Sequence, residues 1–223
     1  MIDGLILSYP KSGRTWVRVF TLFYGDLLGK PINFLFRHSY KANRKRVLLV
    51  REPCDILVSL YHQYKYRSSN MRKKGINLNS LKDFIRDERG ARDLSKSWDF
   101  WLKAEAERIE IRYEDLFNNI WKEILGFFNI EIRKDLILKA DEMCRFDNLK
   151  NNLDSFNWPD HLKIKLFARE NGLFISNPKN PETHKLRRGK VGGHVDYLDK
   201  EDIEYIHSNV PEAARWYSGY ASR

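Results

Sequence analysis

Residues 8–16 read SYPKSGRTW, and they gather the groups that hold a multiply charged anion. Lys11 carries a full positive charge. Ser12 and Thr15 carry hydroxyl donors. Gly13 lets the backbone approach a ligand closely. The segment before the loop, Leu5-Ile6-Leu7, is short and apolar like a strand, and the segment from Thr15 to Leu28 has helical spacing. A strand that turns into a helix through such residues points backbone N–H groups at an anion, and the helix dipole adds to the attraction. The ordinary nucleotide loop, G-x-x-x-x-G-K-[ST], sets its lysine directly after a glycine. Here the lysine precedes the glycine by two positions, so the loop holds a phosphate-like group in a different arrangement. Arg14, between Gly13 and Thr15, either supplies extra charge to the same place or points to solvent.

Two more stretches carry anion-binding chemistry. In RKRVLLVREPCDILVSLY, Arg51 falls at the end of an apolar run and Ser59 follows eight residues later, about two helical turns on. An arginine fork donates two parallel hydrogen bonds and suits a terminal phosphate, so Arg51 with Ser59 forms a second candidate pocket. In KLRRGKVGGH, residues 185–194, two arginines precede a glycine and two further glycines follow. That composition describes a basic loop wrapped closely around something anionic.

An α/β alternation positions these groups. Strands are expected at Leu5–Ser8, Val47–Val50 and Ile109–Tyr113. The helix from Thr15 ends near Leu28, with Gly29 as its C′ residue and Pro31 blocking continuation. A second helix starts at Pro53, with Asp55 near its positive end and Leu57, Leu60, Tyr61 and Tyr64 on its apolar face. Ser80 with Asp83 makes a capping arrangement. Trp98, Trp101 and Leu102 mark a further helix and read as core. Helices are also expected near 115–128, 134–144, 159–171 and 199–208, and residues 65–79 as loop. The order implies a parallel sheet covered on both faces, with ligands at the carboxyl ends of the strands. Lys11, Arg51 and Tyr113 all fall at such ends. Glu114 and Asp115 read as helix-start and packing residues.

The chain's 223 residues, 42% of them hydrophobic, suffice for one domain with a sizeable core, spanning 1–223. No apolar run reaches the length of a membrane span. Met1 lies almost on the first strand, leaving no room for a leader segment. Cys54 and Cys144 are too few and too far apart for a disulfide framework or a metal knuckle. Together these favour a soluble protein of the cytoplasm. The net charge of +10 draws anionic partners, and the basic residues cluster at 41–46, 65–74 and 185–190.

The set YPKSGRTW, VREPCDILVSLY, RYEDL, CRFDNLK and LRRGKVGG, in this order, resembles the cytosolic-type sulfotransferases. The motifs run from residue 9 to about residue 194. The resemblance implies transfer of a sulfuryl group from 3′-phosphoadenosine 5′-phosphosulfate (PAPS) to a hydroxyl or amine acceptor, leaving 3′-phosphoadenosine 5′-phosphate (PAP). It implies that Lys11 contacts the oxygen bridging phosphate and sulfate, and that Ser12, Gly13 and Thr15 bind the 5′-phosphate. Trp16 and Phe146 would stack on the adenine, with Tyr113 near its edge. Arg51 and Ser59 would hold the 3′-phosphate, closed over by Arg187, Arg188 and Gly189. Ser59 is counted with the catalytic residues beside Lys11 and His38, which stands where the family places its base. His62 and His194 are the next candidates for that base. The chain departs from the family at Arg14, where threonine is usual, at His194, where tryptophan is frequent, and at Phe36, where a lysine is missing.

The donor brings its own strong leaving group, so no metal is expected. A P-loop kinase or NTPase would need a Walker lysine and an aspartate at a neighbouring strand end, where this chain has Arg51. A non-catalytic basic module for nucleic acid or another anion would not require the ordered loops, so nucleic acid is not an expected partner. The acceptor pocket is expected between residues 65–79 and 150–186, open enough for a bulky hydroxylated acceptor such as an anionic glycan. Oligomeric state is not legible.

Overall fold

The computed structural model describes residues 3–38, 44–68, 75–145, 147–148, 182 and 190–217. Four strands make one parallel sheet: β1 (Gly4–Ser8), β2 (Phe34–Arg37), β3 (Arg46–Val50) and β4 (Arg108–Arg112), in the order β2-β1-β3-β4. Leu7 pairs with Arg37 on one side and Leu48 on the other, and Val50 pairs with Arg112. This register brings the carboxyl ends of all four strands out along one edge.

The sequence gives weak notice of β2. It is a four-residue edge strand, FLFR, and none of its residues is fully buried. Edge strands cover only one side of a neighbour and need no continuous apolar run. Its position matters, because it ends directly before His38.

The alternation of side chains along the strands divides the core in two. Ile6, Val47, Leu49 and Ile111 face one layer with α1 (Arg14–Leu27), while Leu7, Leu48 and Val50 face the other with α2 (Pro53–Tyr66). The first layer also holds Leu116, α5 (Trp121–Phe127) and α6 (Lys134–Cys144). The second holds α3 (Leu81–Arg86), α4 (Ala91–Lys103) and α7 (Lys200–Asn209). Trp98 and Trp101 are fully buried in it, as their helical spacing indicates.

Helix ends follow local chemistry. Gly29 has φ 69°, its N–H donates to the Asp26 carbonyl, and Lys30 N–H donates to the Gly25 carbonyl. The Ser80 hydroxyl accepts from Asp83 N–H at 3.0 Å. The stretch expected as one helix over 115–128 is two elements. A 3₁₀ helix, Tyr113–Asn118, is followed by α5, and the break falls at Asn119 with φ 60°. Asparagine tolerates that left-handed conformation better than most residues, and its effect outweighs the apolar periodicity around it. β4 correspondingly stops at Arg112, one residue before the expected end at Tyr113. The helix expected near 159–171 lies outside the described residues.

Candidate active site

The loop after β1 is shaped by two positive φ values, 76° at Lys11 and 91° at Gly13. At Gly13 the conformation is natural. A side chain there would also collide with the Tyr113 ring, so glycine is required twice over. At Lys11 it is unusual for a residue with a side chain and costs about 1–3 kcal/mol, a strain that recurs where a backbone is held for function. Gly13 is the N-cap of α1, its carbonyl accepting from Trp16 N–H at 2.8 Å. The first turn of α1 contains no acidic residue. Ser12 is fully buried there, and among the described residues its hydroxyl oxygen has no hydrogen-bond partner. A buried, unpaired hydroxyl calls for an explanation, and at a helix N-terminus a bound anion is one.

Arg51, directly after β3, reaches the same loop. Its NH1 donates to the Lys11 carbonyl at 3.1 Å, and its guanidinium lies 4.3 Å from the centre of the Tyr113 ring. Among the described residues its buried Nε has no hydrogen-bond partner. The two anion pockets expected from sequence therefore share a wall. Thr15 is half-buried in the first turn of α1, and Ser59 is half-buried on α2.

His38, after β2, meets Arg14. The His38 Nδ1 lies 3.0 Å from the Ser8 carbonyl oxygen and 3.3 Å from Arg14 NH1; the tautomer with the proton on Nδ1 satisfies the carbonyl and leaves Nε2 to accept. Arg14 NH2 donates to that Nε2 at 2.8 Å. His38 keeps part of its surface exposed, yet partial removal from water and the adjacent Arg14 charge pull its pKa down to about 4, against a smaller upward pull from the Ser8 carbonyl. The imidazole is thus neutral near pH 7, with its basic lone pair covered by Arg14.

The aromatic corner differs from a simple stacking platform. Trp16 is 9% exposed, its Nε1 donates to Cys144 Sγ at 3.0 Å, and it meets Tyr113, Phe117 and Trp121 edge to face. Burial pushes the Cys144 thiol up to about 12, so it remains a neutral partner. Phe117, 4.6 Å from Trp16 between ring centres and 48% exposed, offers the open aromatic surface at this corner. Phe117 was not singled out from the sequence, where a lone phenylalanine after RYEDL has no signature. Phe146, Arg187, Arg188 and Gly189 lie outside the described residues.

The acidic residues near the site are structural or ionic partners. Glu114 accepts from Glu52 N–H at 3.2 Å and from the Tyr217 hydroxyl at 2.8 Å, and Asp115 pairs with Arg112. Asp55 is 3% exposed and accepts from Gly192 N–H, His194 N–H and the His194 ring, with Arg51 alongside. Sequence reading gave Asp55 only a helix-end role, because partners more than 130 positions away leave no local signal. Glu52, Cys54 and His194 also bring ligand-type atoms within 4.8 Å of one another. Glu52 and His194 are both engaged there in hydrogen bonds to Asp55.

A strained loop at a helix N-terminus on a parallel sheet, with cations from neighbouring strand ends, defines the class of phosphate-type anion-binding α/β proteins. The model of the sulfotransferase domain family matches residues 30–215, and the chain belongs to that family and is an enzyme of that class. The match begins after the loop of residues 8–16, which rests on its own geometry. The chain is similar in structure to mouse sulfotransferase SULT7A1, solved as a complex with PAP. The TM-score is 0.64 at 18% identity, covering 98% of this chain and 86% of that one. No curated protein matches the chain. Among the described residues no helix is long and apolar enough to cross a membrane.

Proposed function

We propose that this protein, as a single domain over residues 1–223, transfers a sulfuryl group from PAPS to a hydroxyl or amine acceptor by in-line displacement. The observation that carries the proposal is the buried, unpartnered Ser12 hydroxyl at the α1 N-terminus, beside left-handed Gly13 and next to Lys11. These groups fit a phosphosulfate: donors only, no carboxylate in the first turn, and no room at Gly13 for a side chain. Ser12, Gly13, Arg14 and Thr15 would hold the 5′-phosphate, and Arg51 with Ser59 the 3′-phosphate, aided by Arg187, Arg188 and Gly189. Tyr113, Trp16, Phe117 and Phe146 would frame the adenine, which would meet Phe117 before Trp16.

PAPS supplies an activated sulfuryl group together with a stable leaving phosphate. Lys11 brings a positive charge to the place where negative charge gathers. His38 takes the acceptor proton at Nε2, once the Arg14 guanidinium has turned from that nitrogen towards the bound anion. Thr15 and Ser12 fix orientation, which in group transfer accounts for much of the rate.

A phosphoryl-transfer alternative needs a magnesium-holding aspartate at a strand end. The residues following β2 and β3 are His38 and Arg51, and Tyr113 follows β4. Asp55, a buried carboxylate four residues after Arg51, is taken up by Gly192 and His194. The acceptor is proposed to be a hydroxylated compound, with the chain's +10 charge favouring an anionic one such as a glycan, in the cytoplasm.

The test is a panel of hydroxylated acceptors incubated with PAPS in excess EDTA and read by mass spectrometry. The expected product gains one sulfuryl group, with turnover unchanged by the chelator. Transfer only from ATP, abolished by EDTA and restored by magnesium, would overturn the proposal.

A further inference from the structure

Four groups, the Gly192 N–H, the His194 N–H, the His194 ring and the Arg51 guanidinium, converge on one carboxylate that the reaction itself does not use. Asp55 sits in the first turn of α2, and its own N–H donates to the side chain of the N-cap Glu52 at 2.7 Å. Its Oδ1 accepts from His194 N–H at 2.9 Å and lies 3.0 Å from His194 Nδ1. Its Oδ2 accepts from Gly192 N–H at 2.9 Å and lies 3.5 Å from Arg51 NH2. Gly192 has φ 71°, a left-handed turn that lets alternate N–H groups face the same anion. Glu52 Oε2 lies 3.2 Å from His194 Nδ1.

Such an arrangement is expensive to leave incomplete. A carboxylate this deeply buried is tolerated only when charge and hydrogen bonds compensate it. Burial alone would raise its pKa. The His194 hydrogen bond, the Arg51 charge and the Gly192 N–H together pull it below the ordinary value. For His194 burial pulls the other way, and the Asp55 hydrogen bond with the Glu52 and Asp55 charges outweighs it, leaving the pKa raised. Both shifts favour the charged pair. A raised histidine pKa contributes stability that is fully present below about 6.5, the unfolded value, and is lost as pH climbs through the raised one.

We infer that Asp55 is a positioning residue, whose carboxylate latches the Gly192–His194 turn onto the α2 N-terminus and at the same time sets the orientation of Arg51. The inference rests on the sulfotransferase proposal for the meaning of Arg51. Among the described residues, the Lys11 carbonyl, the Tyr113 ring and Asp55 define the direction of Arg51. The first two belong to the nucleotide loop and the adenine corner. Among the described residues, Asp55 ties it to the segment that follows the basic stretch 185–190. One carboxylate thus couples the end of the basic segment to the arginine proposed for the 3′-phosphate. His194, which stands where the family often has tryptophan, is the partner that makes the latch ionic.

The test compares wild type with Asp55→Asn and His194→Ala. The asparagine amide would point a donor at a donor, either Gly192 N–H or His194 N–H. The expected result for Asp55→Asn has three parts. Hydrogen exchange at the Gly192 and His194 amides speeds up by at least about tenfold, the His194 titration moves down towards 6.5, and PAP affinity falls about tenfold or more while 5′-AMP affinity is kept. His194→Ala, which leaves Arg51 untouched, should speed the same amides and weaken PAP less, and it decides the matter if Asp55→Asn does not fold. Unchanged amide exchange and an unchanged PAP to 5′-AMP ratio in the folded variants overturn the latch. Faster exchange in a protein whose wild type does not distinguish PAP from 5′-AMP supports the latch and overturns the 3′-phosphate role of Arg51.

Discussion

Replacing Lys11 with alanine is expected to lower kcat by about 10²–10³, the usual loss when one preorganised donor to developing charge is removed. PAP affinity should fall by less, since Ser12, Gly13, Thr15 and Arg51 remain. The backbone offers an internal control. Lys11 holds φ at 76°, where glycine is at ease and alanine is not. Lys11→Gly should therefore be at least as heat-stable as wild type while losing the same turnover. Steady-state kinetics and a thermal unfolding scan on both variants separate the two effects. A variant that lacks the amine but keeps wild-type kcat would remove Lys11 from the chemistry.

The second large effect belongs to His38. His38→Ala should reduce kcat by about 10²–10⁴, the span of general base assistance, with PAP affinity near wild type. The ligand-free geometry sharpens this. With its pKa near 4 and Nε2 covered by Arg14, His38 is a weak base in that state. Moving the Arg14 charge to a bound anion removes one of the two downward pulls, so His38 becomes more basic when the donor is present. Arg14→Thr removes the same charge permanently. In that variant the His38 titration, followed by NMR without ligand, should rise from about 4 towards 6.5. PAPS affinity should change while activity is retained. A His38 titration that stays in place would mean that burial alone sets its pKa. Wild-type kcat in His38→Ala would move the base elsewhere, with His194 and His62 next. His194 is already committed to Asp55, and His62 sits in α2 facing Glu182.

The parts of the molecule written in local chemistry were legible. Leu5–Ser8, Val47–Val50 and the Pro53 helix declare themselves through apolar runs and a proline at N1, and the glycine at 29 closes α1 as its conformational freedom allows. The parts set by distant contacts were not. β2 is short and half-buried at an edge, so its strand character comes from pairing with β1 rather than from its own residues. The break at Asn119 opposes a run of apolar residues that reads as continuous helix. In the site, Lys11, Arg51 and Tyr113 lie together at the strand ends where the sequence put them. The pairing of Arg14 with His38 depends on β2 lying beside β1, and the latch at Asp55 joins residues in different thirds of the chain. Neither leaves a pattern within any window of sequence. Trp16 shows the reverse case: a motif tryptophan whose ring is enclosed by Tyr113, Phe117 and Trp121.

The most direct measurement is calorimetric titration of the protein with PAP, 5′-AMP and magnesium ATP, repeated on Arg51→Ala. PAP should bind far more tightly than either of the others. Arg51→Ala should erase most of that preference, because truncating one partner of a buried charged contact costs about 2–5 kcal/mol. Equal affinities for PAP and 5′-AMP, or magnesium ATP binding more tightly than PAP, would contradict a site built for a 3′-phosphorylated sulfuryl donor.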